Sequence, residues 1–110
     1  MNARYNSRKG RKLQNLVRSR LLKAFPHLKE SDIQVARTGE NGPDIKLSRI
    51  AKRLIPFQWE TKSQQRMKTI YSWHSQASKK TNLDGVVVMK SNGKDPLVVI
   101  SFVLLLDLIK

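Results

Sequence analysis

The sequence has no cysteine, few acidic and aromatic residues, and no long apolar run. Without cysteine the chain has no disulfides, no cysteine-ligated zinc site and no cysteine nucleophile, which fits a reducing cytoplasm. Its apolar run FVLLL is far shorter than the ~20 residues that a membrane span needs. The N-terminal MNARYNSRKGRK has no apolar segment behind its charges, so no secretory signal is predicted. We therefore expect a cytoplasmic protein that does not cross a membrane.

Because acidic residues are scarce, the chain carries a large positive net charge. There are 22 Lys and Arg against 8 Asp and Glu, so the net charge is +14, and the pI is about 10.7. Solubility needs a net charge of magnitude only about 2–8, so phosphate contact explains the excess better. Nucleic acid is the first candidate partner. An anionic membrane surface and a ribosome-like assembly are the alternatives.

The basic residues form groups at the N-terminus, around a central hairpin and on the second long helix. Those expected to contact DNA phosphates are Arg8, Lys9, Arg11, Lys12, Lys46, Arg49, Lys52, Arg53 and Arg66. The same groups include Arg4, Lys68, Lys79 and Lys80. Binding through such contacts predicts a steep dependence on salt.

The length of 110 residues indicates one domain, residues 1–110, with a flexible basic N-terminus over residues 1–9. Apolar spacing and turn residues predict its secondary structure. The expected elements are a helix over 11–25 ended by Pro26, strands at 33–37 and 44–48, a connection or single helical turn at 49–53, a strand at 54–62, a helix over 64–80, strands at 86–90 and 97–101, and a helix over 102–110.

This order predicts an α/β fold with a mixed central β-sheet flanked by helices. The helix over 64–80 links the strand at 54–62 to the strand VVVMK, so those two strands are expected to be parallel. VVVMK is a continuous apolar run of the kind found in strands that are covered on both faces.

The stretch GPDIKLSRIAKRLIPFQWETK contains two acids in apolar, strand-like surroundings, Asp44 and Glu60. Alternation along a strand places Glu60 and Lys62 on one side. If the two strands pair, Asp44 approaches Glu60, and two neighbouring carboxylates favour a cation such as Mg²⁺. Lys62 beside such a metal is placed to deprotonate a water or to stabilise phosphate charge. The alternative is that Asp44 caps a turn while Glu60 and Lys62 form an ion pair.

These residues resemble the PD-(D/E)XK nuclease signature, with Pro43-Asp44 as its first half and Glu60-Thr61-Lys62 as its second. Together with RKGRKLQNLV, GENGPDIKLS and SWHSQA, they make most of the chain similar to small phage-type endonucleases related to Holliday junction resolvases. The resemblance implies a restriction-endonuclease-like core and a Mg²⁺-dependent endonuclease, with Mn²⁺ as a substitute. It also implies branched or structured DNA as the substrate, a homodimer, and the host cytoplasm if the protein is phage-encoded.

The same resemblance implies roles for individual residues. Asp44 and Glu60 would be metal ligands, together with the backbone carbonyl of Thr61. Lys62 would be the catalytic lysine, and Gln76 a supporting residue near the phosphate. An ordinary surface amide is the alternative reading of Gln76.

The chain departs from the family at one position on the first helix. Resolvases of this fold often carry a Glu after a Lys-Gly pair, and here Gln14 follows Lys9-Gly10. An amide accepts a hydrogen bond from a metal-bound water but adds no charge. Glu40, in the loop before Asp44, is either a replacement for that acid or a solvated loop residue.

The tail FVLLLDLIK is apolar nearly all round, which favours burial on more than one side. A homodimer would supply this burial and would give the two active sites that a two-fold symmetric junction requires. Two other functions stay open at this stage. One is a nicking or restriction-like nuclease on duplex DNA, and the other is a basic DNA-binding module without catalysis.

Overall fold

The computed structural model describes residues 3–79 and 82–110, with side chains from Arg8 onward, and the chain is a mixed α/β protein. The predicted contact residue Lys80 and the first two residues of the N-terminus lie outside the described part. One compact unit runs to Ser63 and includes Ile109–Lys110, and the other is Gln64–Leu108. The elements are α1 (Ala3–Ala24), a 3-10 turn (Glu30–Asp32), β1 (Ile33–Val35), β2 (Ile45–Leu47), α2 (Arg49–Leu54), α3 (Lys68–Lys79), β3 (Val87–Met89), β4 (Leu97–Val99) and α4 (Phe102–Ile109).

The core of the first unit is built on one stripe of α1. Val17 and Leu21 are buried at a spacing of one helical turn, and Phe25 continues the stripe beyond the helix end. Pro26 has no N–H to donate, and α1 ends at Ala24, as predicted. The helix begins at Ala3, ahead of the predicted start at residue 11.

The two strands of the first unit form an antiparallel hairpin against α1. Val35 pairs with Ile45, and Ile33 pairs with Leu47. Ile33 and Ile45 are fully buried, so one face of the hairpin completes the core. In the connecting loop the N–H of Glu40 donates to the carbonyl of Arg37 (3.0 Å), and Gly39 has φ 79°, which is costly for any residue with a Cβ. The predicted strand–loop–strand order is confirmed here.

A hydrogen-bonded junction joins the 3-10 turn to the start of α2. The carboxylate of Asp32 accepts from the N–H of Lys29 (2.7 Å) and from the hydroxyl of Ser48 (2.7 Å). The Ser48 hydroxyl in turn accepts from the N–H of Ala51 (3.1 Å), so it caps α2. The predicted helical turn over 49–53 is confirmed as this capped helix.

We expect Asp32→Asn to lower the melting temperature at neutral pH but not in acid. The Lys29 N–H and the Ser48 hydroxyl hold the pKa of Asp32 below its ordinary value of 3.8. The stabilisation is therefore present above that value and is lost as the pH falls through the lower folded pKa. Thermal melts from neutral pH to below about pH 3 should show the difference from wild type shrinking. Glu30→Gln is the control, because its exposed carboxylate makes no hydrogen bond or ion pair within the described residues. A difference that does not change with pH would contradict this assignment.

The strand predicted over 54–62 does not form as a ladder. Leu54 is the last residue of α2, and Pro56 has no N–H to contribute. The segment nevertheless runs beside β2, because the N–H of Asp44 donates to the carbonyl of Trp59 (3.0 Å). The sequence predicted the correct neighbour for β2. The two segments are joined by this backbone hydrogen bond and by the contacts of the Asp44 side chain with Thr61, rather than by a ladder.

The second unit consists of α3, the hairpin β3–β4 and α4. In the hairpin Val88 pairs with Val98, and Gly93 in the turn has φ 75°. Helix α3 begins at Lys68 rather than at Gln64, and the carbonyl of Met67 accepts from the N–H of Tyr71 (3.2 Å). The strands and helices of the second unit occur in the predicted order.

Two expectations about the sheet are wrong for the described residues. The strands form two separate antiparallel pairs, β1–β2 and β3–β4, so the single mixed sheet and the parallel pairing of 54–62 with VVVMK are absent there. VVVMK is not covered on both faces, because Val88 is 66% exposed and Val86 is 49% exposed.

Candidate functional site

Asp44 lies where three chain segments run side by side. Its carbonyl accepts from the N–H of Ala36 (2.9 Å), just beyond β1, and its N–H donates to the carbonyl of Trp59 (3.0 Å). Both main-chain groups are thus satisfied by neighbouring segments, which fixes the position of the half-buried side chain. The structure therefore places the first half of the motif directly beside the segment that carries the second half.

The carboxylate of Asp44 is held by Thr61. Oδ2 accepts from the N–H of Thr61 (2.7 Å) and from its hydroxyl (3.2 Å). Within the described residues Oδ1 accepts no hydrogen bond, so it is available to a ligand. The sequence had assigned only the backbone carbonyl of Thr61. The sequence analysis did not predict that the N–H and hydroxyl of Thr61 would hold the Asp44 carboxylate. The only signal for this role in the sequence is a threonine next to the predicted ligand Glu60.

Glu60 and Lys62 lie on the same side of their segment, as alternation predicts. The Nζ of Lys62 is 3.2 Å from Oε1 of Glu60, and both side chains are about two-thirds exposed (68% and 64%). An ion pair this exposed contributes little to stability, because water screens it. The pair can therefore open toward a metal or a phosphate at small cost.

A cavity of about 240 Å³ brings together three of the predicted residues. Gln14 of α1, Glu40 of the loop and Asp44 all line it, together with Arg11 and Arg37. These residues are far apart in sequence, and the packing of α1 against the β1–β2 hairpin joins them. Glu60, Thr61 and Lys62 are not part of this lining.

Glu40 is already engaged on both of its oxygens. Oε1 accepts from the N–H of Arg37 (2.9 Å), and Oε2 pairs with Nζ of Lys46 (2.9 Å). The Arg37 N–H first, and then Lys46, lower the pKa of Glu40 below its ordinary value, so the group is ionised at neutral pH. Its role in the structure is to hold the loop in place, and it would have to release Lys46 before it could bind a metal through Oε2.

The predicted contact residues of the first unit are largely exposed. Arg8, Lys9 and Lys12 line a groove of about 830 Å³ along α1, which also reaches Ser63. Arg11 donates to the hydroxyl of Thr38 (2.6 Å). The basic residues of α2, which are also exposed, are Arg49, Lys52 and Arg53.

Gln76 and Arg66 belong to the second unit. Gln76 is exposed on α3, and Arg66 is exposed just before that helix. Neither side chain makes a hydrogen bond or an ion pair in the part of the chain that the structure describes. The supporting role of Gln76 therefore stays a prediction.

The available donors fit Mg²⁺ by their chemistry. One oxygen of Asp44, the carboxylate of Glu60 and the carbonyl of Thr61 are all hard oxygen ligands, which Mg²⁺ prefers, and it completes its shell with water and phosphate. Within the described residues no group of three or more His, Cys, Asp or Glu gathers to hold a metal. The predicted set has two carboxylates, so its remaining ligands would be main-chain oxygen, water and substrate.

No known protein family, curated protein or solved structure matches this chain. Among the described residues no helix combines the length and the apolarity needed to cross a membrane. Support for a function therefore comes from the residues of this chain, their geometry and their charge.

Proposed function

We propose that this protein is a Mg²⁺-dependent DNA endonuclease that hydrolyses phosphodiester bonds, with branched DNA such as Holliday junctions as its substrate. One observation carries most of the proposal: the Asp44 carboxylate is held by Thr61, between the two residues Glu60 and Lys62. In this proposal the contact between Thr61 and Asp44 links the two halves of the PD-(D/E)XK motif. The net charge of +14 supports DNA as the partner.

In this proposal different residues of the chain bind the metal, act on the attacking water and stabilise the phosphate. Asp44, Glu60 and the Thr61 carbonyl hold the metal. Bound Mg²⁺ supplies Lewis-acid polarisation of the phosphate and a water of lowered pKa. As an ammonium, Lys62 stabilises the charge that develops on the phosphate, and only after losing its own proton can its Nζ accept a proton from the attacking water. Gln14 orients a water by its amide.

The finer fold assignment belongs to the same proposal. The β1–β2 hairpin, with Asp44 at the start of β2 and the segment of Glu60 and Lys62 beside it, is compatible with the edge of a restriction-endonuclease-like core. In such a core the strands would belong to one sheet. An experimental structure with DNA and Ca²⁺ in place of Mg²⁺ is the suitable test of this assignment.

The substrate class is tested by comparing three end-labelled DNAs of equal length: a four-way junction, a linear duplex and a single strand. Preferential cleavage of the junction with Mg²⁺ supports the proposal. Preferential cleavage of the duplex favours the nicking or restriction-like alternative. Binding to all three without cleavage favours a non-catalytic DNA-binding module, for which the neutral Gln14 is the sequence argument.

We expect Arg8→Gln with Lys12→Gln to weaken binding to every DNA and to flatten its salt dependence. Both residues line the groove along α1, and each lost phosphate contact removes roughly one unit from the slope of log K against log [salt], so the slope should fall by about two. Fluorescence anisotropy of labelled DNA at several salt concentrations measures this slope. The control is Lys90→Gln with Lys94→Gln, which removes two exposed charges from the second unit. Equal slopes for both double variants would mean that the groove does not contact DNA.

The proposal includes a homodimer, and the second unit carries suitable apolar surface. Only Leu106 is a buried apolar residue among the described residues of this unit, whereas Val103 (59%) and Leu108 of the same helix are exposed. The hairpin pair Val88 and Val98 is also exposed. An apolar patch of this kind usually marks an interface, and a second copy would cover it in the two-fold symmetry of a junction.

Analytical ultracentrifugation at micromolar protein without DNA is expected to show a dimer of the 12.7 kDa chain. Val103→Glu should shift the equilibrium to the monomer, because it places a charge in the apolar patch. Ile50→Glu is the control, since Ile50 is similarly exposed but lies on α2 of the first unit. A wild-type protein that is monomeric at all concentrations would remove the dimer and the paired incision that depends on it.

A further inference from the structure

A second polar cavity, of about 380 Å³, lies beside the one at Asp44 and shares Arg37 and Glu40 with it. We call it the anion cavity. Its polar lining comes from α1, the β1–β2 hairpin and the loop between the two strands. The lining residues are Asn15, Arg18, Gln34, Arg37, Glu40 and Lys46. Its volume lies in the range of about 300–1,000 Å³ that is typical of small-molecule sites.

The anion cavity has an excess of positive charge. Three cations and one acid give it a net charge of about +2. Arg18 is fixed in place, because its guanidinium donates to the carbonyls of Ile33 and Glu30. The guanidinium of Arg37 donates no hydrogen bond within the described residues, so it can turn toward a ligand. The amides of Asn15 and Gln34 add neutral donors.

These donors match an anion with several oxygens. Guanidinium and ammonium groups form short, charge-assisted hydrogen bonds to phosphate, and Arg does so with two donors at once. No aromatic side chain lines the cavity, so it offers no surface on which a base could stack. We propose that the anion cavity binds a phosphate group, and that Lys46 moves from Glu40 to this phosphate when it binds.

Glu40 acts as the internal competitor in this proposal. Without a ligand, Oε2 of Glu40 forms an ion pair with Nζ of Lys46 at 2.9 Å, and this pair neutralises one of the three cations. A phosphate must displace that carboxylate to reach Lys46. Removing the charge of Glu40 should therefore tighten phosphate binding, while Gln at this position keeps an oxygen that can accept from the Arg37 N–H.

The test is an NMR titration with inorganic phosphate, without divalent metal, against potassium chloride of equal ionic strength. We expect the side-chain amide signals of Asn15 and Gln34 to move with phosphate and not with chloride. Arg37→Gln should weaken this binding by about tenfold, the scale of one charged hydrogen bond. Lys94→Gln, which removes one exposed positive charge from the second unit, should not change it. Glu40→Gln should strengthen it.

A second titration uses an oligonucleotide without terminal phosphates and identifies the source of the phosphate. Movement of the two amides with both ligands assigns the cavity to the backbone of a nucleic acid, and movement with inorganic phosphate alone assigns it to a free phosphate or phosphate ester. Amides that respond to neither ligand, equal losses in Arg37→Gln and Lys94→Gln, or weaker binding in Glu40→Gln would each overturn the proposal. Because no cleavage is measured, the result is independent of the proposed nuclease activity.

Discussion

Asp44→Asn is expected to abolish DNA cleavage and to leave DNA binding intact or tighter. The change removes the negative charge of the carboxylate whose Oδ1 is available to a metal. Loss of one such preorganised group costs roughly 10²–10³-fold in turnover. Binding should not suffer, because the lost charge is one that repels phosphate. Asn keeps an oxygen that can accept from the Thr61 N–H, so the fold around it should persist.

The experiment measures cleavage rate and DNA affinity on the same preparation of Asp44→Asn. Asp95→Asn is the matched control, because it makes the same change at an exposed position of the second unit. Glu60→Gln should reproduce the loss of cleavage, since Glu60 is the second carboxylate of the proposed set. Wild-type cleavage rates in Asp44→Asn or in Glu60→Gln would rule out this assignment of the metal ligands.

Lys62→Ala is expected to reduce turnover by ~100-fold or more while metal binding is kept. This is the usual scale for a positioned acid or base. In the structure Lys62 is 68% exposed and contacts only Glu60 among the described residues, so its removal should not disturb the fold. It also frees Oε1 of Glu60, so metal affinity should be unchanged or higher.

Calorimetric titration with Mg²⁺ separates the two possible roles of Lys62. Lys23→Ala is the control, because Lys23 is an exposed lysine of α1 in the same unit. Lower turnover with unchanged metal affinity supports a catalytic lysine. Loss of metal binding in Lys62→Ala would show that the lysine is structural and that the role proposed for it is wrong.

Local signals in the sequence were sufficient to predict most of the secondary structure. Pro26 marks the end of α1, and the alternation in IKL and the apolar run LVV give β2 and β4 near their predicted positions. Helix α2 follows Ser48, a residue that caps helices well. Features of this kind depend on a few neighbouring residues, which is why they can be read without knowledge of the fold.

The burial of the strands could not be predicted in the same way. VVVMK has the composition of a strand that is covered on both faces, yet Val88 is 66% exposed. A continuous apolar run shows that a strand prefers burial, but it does not show which surface covers it. The same limit explains the missing ladder at 54–62, where Pro56 and the extension of α2 to Leu54 limit the pairing.

The candidate site was partly predictable for a related reason. The spacing of Glu60 and Lys62 predicts that they share a side, and they form an ion pair. The hydrogen bond from Thr61 to Asp44 joins residues that are 17 positions apart in the sequence. The contact of Lys46 with Glu40 depends on the conformation of the loop. Neither contact follows from a local pattern in the sequence, because each depends on how the segments around Asp44 and the loop are folded.

The most direct test of the proposed activity is a cleavage assay with the purified wild-type protein on an end-labelled four-way junction. The proposal predicts cut strands with Mg²⁺ or Mn²⁺, no cutting when EDTA removes the metal, and no cutting by Asp44→Asn under the same conditions. A wild-type protein that binds the junction but leaves it intact with either metal would contradict the nuclease assignment, as would cutting that persists in EDTA.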